Sequence, residues 1–137
     1  MFVANYLILG ELFGLLERIE LIDGVSFHNF DPDDESDVEL IASRYIGPAL
    51  SDTSQFNRDM VASTIAFYSL KDSAAIQTLK DRCQELTLPD SDSWPVFFHR
   101  IGKSLFGDKY RDRYDETNFE EVLDEQVSGN ILRPEVR

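Results

Sequence analysis

Two runs of carboxylates carry most of the chemistry this sequence offers. The first is Asp31, Asp33, Asp34, Glu35, Asp37 and Glu39. The second is Asp115, Glu116, Glu120, Glu121, Asp124 and Glu125, with no base between Asp115 and Val127. Closely spaced carboxylates suggest a divalent cation first, and the spacing tests the idea. With Asp31 at position 1 of a calcium loop, Asp33 and Glu35 fall at positions 3 and 5. Position 6 is then Ser36, where the turn needs glycine, and position 12 is Ala42, where the ion needs a bidentate glutamate. No metal is expected.

Other chemistry is sparse. A side-chain nucleophile needs a base and an orienting group beside it. The chain has one cysteine, Cys83, and two histidines, His28 and His99. Cys83 lies on the apolar stripe of a predicted helix, where a thiol is a small, inert core residue. There is no Gly-x-Ser-x-Gly elbow, phosphate loop, dinucleotide fingerprint or Cys-x-x-Cys pair. Zinc would need three or four suitable ligands. A haem would take His99 as its axial ligand, and the 38 residues after it are short for the two long helices of a globin. The sequence predicts neither an enzyme nor a cofactor.

The acids are therefore read as a field. The 137 residues carry 26 acids and 13 bases, a net charge of −13. Such a charge repels nucleic acids and anionic membranes and attracts basic partners, although it also serves solubility. It is uneven: residues 1–69 hold 12 acids and 3 bases, and residues 70–137 hold 14 and 10. On a helix Glu116, Glu120 and Asp124 share one stripe, and Glu121 and Glu125 another. Like charges four apart destabilise a helix by roughly 0.2–0.5 kcal/mol per pair. Arg100, Lys103, Lys109, Arg111 and Arg113 are the bases available to offset them.

The expected function is a small acidic, non-enzymatic inhibitor of the immunity-protein, antitoxin or DNA-mimicking kind. It would occupy a basic site on a partner protein, such as a nuclease-type toxin, without touching nucleic acid or membrane. Its binding residues would be Asp115, Glu116, Glu120, Glu121, Asp124 and Glu125, with Asp31, Asp33, Asp34 and Glu35. The alternative is a self-associating structural or scaffold component, or a homodimer, joined through an aromatic face of Trp94, Phe97, Phe98, Phe106, Tyr110 and Tyr114. A single cysteine, with no span and no secretory signal, predicts a cytoplasmic protein.

The elements that must position these residues begin with Tyr6–Ile22. Here Tyr6, Leu7, Ile8, Leu9, Leu12, Phe13, Leu15, Leu16, Ile19 and Ile22 leave only a narrow polar stripe, the pattern of a helix covered from several sides. Asn5, Glu11, Glu17, Arg18 and Glu20 interrupt it too often for a membrane span. Asp23-Gly24 stops it, and Val25–His28 alternates like a short strand. Ser36 and Glu39 have capping-box spacing for a helix that Gly47-Pro48 ends.

Thr53 or Ser54 caps the next helix, which runs to about Leu70 with Phe56, Met60, Val61, Thr64, Ile65, Phe67 and Tyr68 inward. Asp72 or Ser73 opens another, striped by Ile76, Leu79, Cys83 and Leu86 and closed by Pro89. Asp92 or Ser93 caps a helix with Pro95 in its first turn and Trp94, Phe98, Ile101 and Leu105 inward, ending at Gly107. Thr117 and Glu120 predict a last helix marked by Phe119, Val122, Leu123 and Val127. Gly129-Asn130 then releases a tail, 131–137. Together these predict an all-α fold: residues 1–137 as one bundle of about six helices around the apolar N-terminal helix.

Overall fold

Helix α1, Leu7–Asp23, buries Ile8, Leu9, Leu12, Phe13, Leu15 and Leu16, as its apolar arc requires. The structure is a computed structural model describing residues 2–115 and 117–122. Gly24 ends α1 at φ 71°, a left-handed position that favours glycine, and its N–H donates to the Glu20 carbonyl at 3.2 Å. The alternating stretch after it is no strand. Phe27–Asn29 form a 3-10 turn, and the fully buried Phe27 ring packs edge-on against Tyr45.

Helix α2, Glu35–Leu40, is capped by Asp34, whose carboxylate accepts from the Asp37 N–H at 3.0 Å; Ser36 is already helical. Gly47-Pro48 does not end this helix. A π turn, Ile41–Ile46, leads directly into α3, Gly47–Ser51. Proline lacks an N–H, and its ring crowds the carbonyl four residues back, here that of Arg44. The wider turn accommodates both. The Gly47 N–H instead reaches the Ala42 carbonyl, five residues back, and a Cβ on Gly47 would sit 3.2 Å from that oxygen.

Ser54 caps α4, Gln55–Leu70, which buries Val61, Thr64, Ile65 and Tyr68. Phe56 is not inward: its first-turn position leaves it 64% exposed. Ser73 caps α5, Ala74–Asp81, which stops short of Cys83. The reason lies on the polar stripe of α1. Glu17 accepts from the Glu85 N–H at 3.0 Å and Glu20 from the Thr87 N–H at 2.9 Å, so these amides bond to side chains rather than to a continuing helix. Leu86 and Leu88 are buried from an irregular segment instead. Ser93 caps α6, Trp94–Phe106, with Pro95 in the first turn and Gly107 at the end. Tyr110–Arg113 follow as a 3-10 turn.

The fold is mostly helical, but not all-α. Strand β1, Phe2–Asn5, pairs in parallel with β2, Phe119–Val122, in the register Phe2↔Phe119 to Asn5↔Val122. The predicted last helix is thus a strand where the structure describes it. Phe119 packs on Phe2, Phe67 and Tyr114, and the strand sends Glu120 and Glu121 to opposite faces instead of adding to a like-charged helical stripe. The far edge of β1 is closed by α4: Ser63 donates to the Val3 carbonyl, and Thr64 accepts from the Asn5 N–H at 3.1 Å. The core runs continuously from Ala4 through α1, α4 and α6 to Tyr110. Leu123, Val127 and the predicted tail lie outside the described residues.

Candidate partner-binding face

The first acidic run is built into a turn. Asp31 accepts from the Asp33 N–H at 2.9 Å, and Asp37 reaches back to the Asp31 N–H at 2.8 Å. The Asp33 carboxylate accepts from the Ser91 hydroxyl at 2.6 Å and the Asp92 N–H at 3.0 Å, fixing the approach to α6. Arg100 donates to the Asp33 carbonyl at 2.7 Å, and Lys103 lies 3.7 Å from Glu35. Asp31, Asp33, Asp34 and Asp37 therefore work for the fold, and Glu35 and Glu39 present charge on an exposed surface. The Glu39 side chain makes no hydrogen bond or ion pair with other described residues.

The second run divides. Asp115 is exposed and accepts from the Thr117 N–H at 2.9 Å and the Thr117 hydroxyl at 2.7 Å; the N–H first, then the hydroxyl, hold its carboxyl below the usual range. Glu120 is exposed on β2, its side chain making no hydrogen bond or ion pair to other described residues. Glu121, on the other face, accepts the Tyr68 hydroxyl. Burial, and then this carboxylate, push the Tyr68 phenol well above its ordinary value, so Tyr68 stays a donor. Glu116, Asp124 and Glu125 lie outside the described residues. No hydrogen bond or ion pair among the described residues joins the two runs. The first stands at the α2 turn; of the second, Glu120 and Glu121 are on β2 and Asp115 precedes it.

Among the described residues, no ion pair joins the bases of 100–113 to Asp115, Glu120 or Glu121. Arg100 and Lys103 turn to the first run, Arg111 lies 3.4 Å from His99 Nε2, and Arg113 stacks over Tyr114. Among the described residues there are two ion pairs, Lys103–Glu35 and Lys80–Asp90 at 2.7 Å. In the second pair, the Lys80 ammonium and then the Gln77 amide hold the Asp90 carboxyl low. Asp23, Asp52, Asp72 and Glu120 remain exposed without such partners.

The proposed aromatic association face is mostly core. Trp94, Phe97, Phe98 and Tyr110 are buried, Phe106 and Tyr114 are half-buried, and Trp94 and Phe98 pack on Phe13. Burial pushes the Cys83 thiol up, and Glu17 adds to the effect, which keeps it protonated at neutral pH. Among the described residues no group of three His, Cys, Asp or Glu side chains has the arrangement to hold a metal ion, and no helix is long and apolar enough to cross a membrane.

Sequence reasoning missed Glu17, Glu20, Tyr68 and His99 as organising polar groups. The three-residue spacing of Glu17 and Glu20 on a narrow stripe was the available signal; nothing in the sequence pairs Tyr68 with Glu121. Comparison of the chain with protein-family models, with curated proteins and with solved structures gives no match.

Proposed function

We propose that this chain is a small acidic binding protein that docks on a basic site of a partner protein, as an immunity protein, antitoxin or DNA-mimicking inhibitor does. The observation that supports this is a net charge of −13, with the Glu39 and Glu120 side chains exposed and making no hydrogen bond or ion pair to other described residues. Acids that a fold uses are hydrogen-bonded, as Asp33, Asp34 and Glu121 are. Glu39 and Glu120 keep their charge toward water, where a field acts at a distance and speeds encounter with a cationic surface. The binding set is accordingly led by Glu120 on β2 and Glu39 on α2, with the exposed Glu35 beside its Lys103 partner.

The test is affinity capture from the cells that make the protein, at low and high salt. Basic proteins recovered at about 50 mM salt and lost at several hundred millimolar are the expected result, since surface charges are screened within about 10 Å at 0.1 M. Capture that is indifferent to salt, or that brings down acidic proteins, would remove the support. Self-association through the aromatic face is disfavoured by the burial of Trp94, Phe97, Phe98 and Tyr110.

A further inference from the structure

We propose that His99, Tyr110 and Arg111 form a pH-sensitive latch that holds the 107–115 segment on α6 at neutral pH and releases it on acidification. This reading is independent of the partner-binding proposal. Beyond α6 the chain turns back so that Tyr110 lies against the helix at Gly102. A Cβ on Gly102 would sit 2.7 Å from the Tyr110 hydroxyl oxygen and closer still to the ring, so only a glycine admits this seat. The Tyr110 ring stacks on His99 at 5.8 Å between centroids and 26° between planes.

The hydrogen bonds fix the protonation of the imidazole. A guanidinium has donors and no acceptor, so Arg111, 3.4 Å from Nε2, requires that nitrogen to present a lone pair. Nδ1 then carries the proton and donates to the Tyr110 hydroxyl oxygen at 3.2 Å. The docked ring is therefore neutral. A second proton at Nε2 removes the acceptor that Arg111 uses and sets two cations together.

The charges around the ring reinforce this. Burial and then Arg111 on the 3-10 turn, with Lys103 and Arg100 on α6, all favour the neutral ring. From α4 the group that meets Tyr110 is the uncharged Ser69 hydroxyl. From α2 the nearby carboxylate, Glu35, is paired with Lys103. Among the described residues no carboxylate hydrogen-bonds the imidazole. The sign follows. The docked ring binds a proton less readily than a released one, whose ordinary value is about 6.5. Docking is complete above that pH and weakens below it, by up to about tenfold per pH unit, until the docked ring itself titrates.

Amide hydrogen exchange tests this. The Asp112 and Tyr114 amides, which donate to the Lys109 and Arg111 carbonyls at 3.0 Å, report on the segment, and the α4 amides on the core. Between pH 7.5 and 5.5 their protection factors, corrected for intrinsic exchange, should fall by more than twofold and at most about tenfold, with α4 changing less than twofold. His99→Gln, neutral at both values, should abolish the fall, and His28→Gln should leave it intact. If His99→Gln does not fold, Arg111→Gln serves: relieved of the neighbouring cation, the docked ring protonates more easily and the fall should shrink. A wild-type fall below twofold, an undiminished fall in His99→Gln, or an unchanged one in Arg111→Gln would overturn the latch.

Discussion

Glu20 brings a single carboxylate oxygen to three donors: the Phe27 N–H at 3.1 Å, the Thr87 N–H at 2.9 Å and the Thr87 hydroxyl at 2.8 Å. It ties the end of the central helix to the turn after it and to the irregular segment before α6. Charge-assisted bonds of this kind are each worth about 1.5–3 kcal/mol when well shielded, and less here because Thr87 is exposed. Glu20→Ala should therefore cost about 1–3 kcal/mol in urea unfolding, and Thr87→Val less than that. The two strand glutamates make a sharper contrast. Glu121→Lys leaves the hydroxyl of the buried Tyr68 without its acceptor and should cost about 1–3 kcal/mol. Glu120→Lys, on the exposed face, should stay within about 0.5 kcal/mol of wild type. Equal effects from the two substitutions would show that the strand does not present them to opposite faces.

At the scale of elements, hydrophobic spacing and capping residues carry most of the information, and they are local. The α1 arc, the Gly24 and Gly107 stops and, to within two adjacent residues, the Ser54, Ser73 and Ser93 caps are legible in the sequence because each depends on residues within a turn or two. Where the reading departs, the deciding partner is distant. Residues 119–122 carry helix-start signals, yet their strand is chosen by β1, more than a hundred residues away, and by Phe67 and Tyr68. Helix α5 ends early because Glu17 and Glu20 of α1 capture amides that its periodicity alone would have kept helical. The helix through Pro48 survives on a π turn that no propensity rule signals. Of the candidate site, the charge was legible and its division into structural and solvent-facing acids was not, since that depends on Tyr68, Ser91 and Thr117. Two substitutions test the elements themselves. Leu12→Ala, at a position 2% exposed in α1, should cost about 2–5 kcal/mol. Gly102→Ala should unseat Tyr110 and cost about 1–3 kcal/mol, with near-ultraviolet tyrosine signals changing while far-ultraviolet helicity holds. A wild-type melting profile in either would place the α1 packing or the Tyr110 seat elsewhere.

Over the whole molecule, the charge is larger than the fold uses. Among the described residues, hydrogen bonds and ion pairs engage the carboxylates of Asp31, Asp33, Asp34, Asp37, Asp59, Asp81, Asp90, Asp115, Glu17, Glu20, Glu35 and Glu121, and the net charge of −13 still gives a field that extends beyond any one contact. So large an excess of one sign opposes compactness and favours solubility. Added salt should therefore raise the stability of the isolated protein, by screening repulsion, while weakening any electrostatic complex it makes. The direct test of the central claim is the association rate constant with the most abundant basic protein recovered by low-salt capture, measured by stopped flow from about 25 to 500 mM salt. The account predicts a rate that falls at least tenfold across that range, and a low-salt rate at least threefold lower for Glu39→Lys combined with Glu120→Lys, with folding unchanged. A rate independent of salt, or one that this charge reversal leaves untouched, would contradict it.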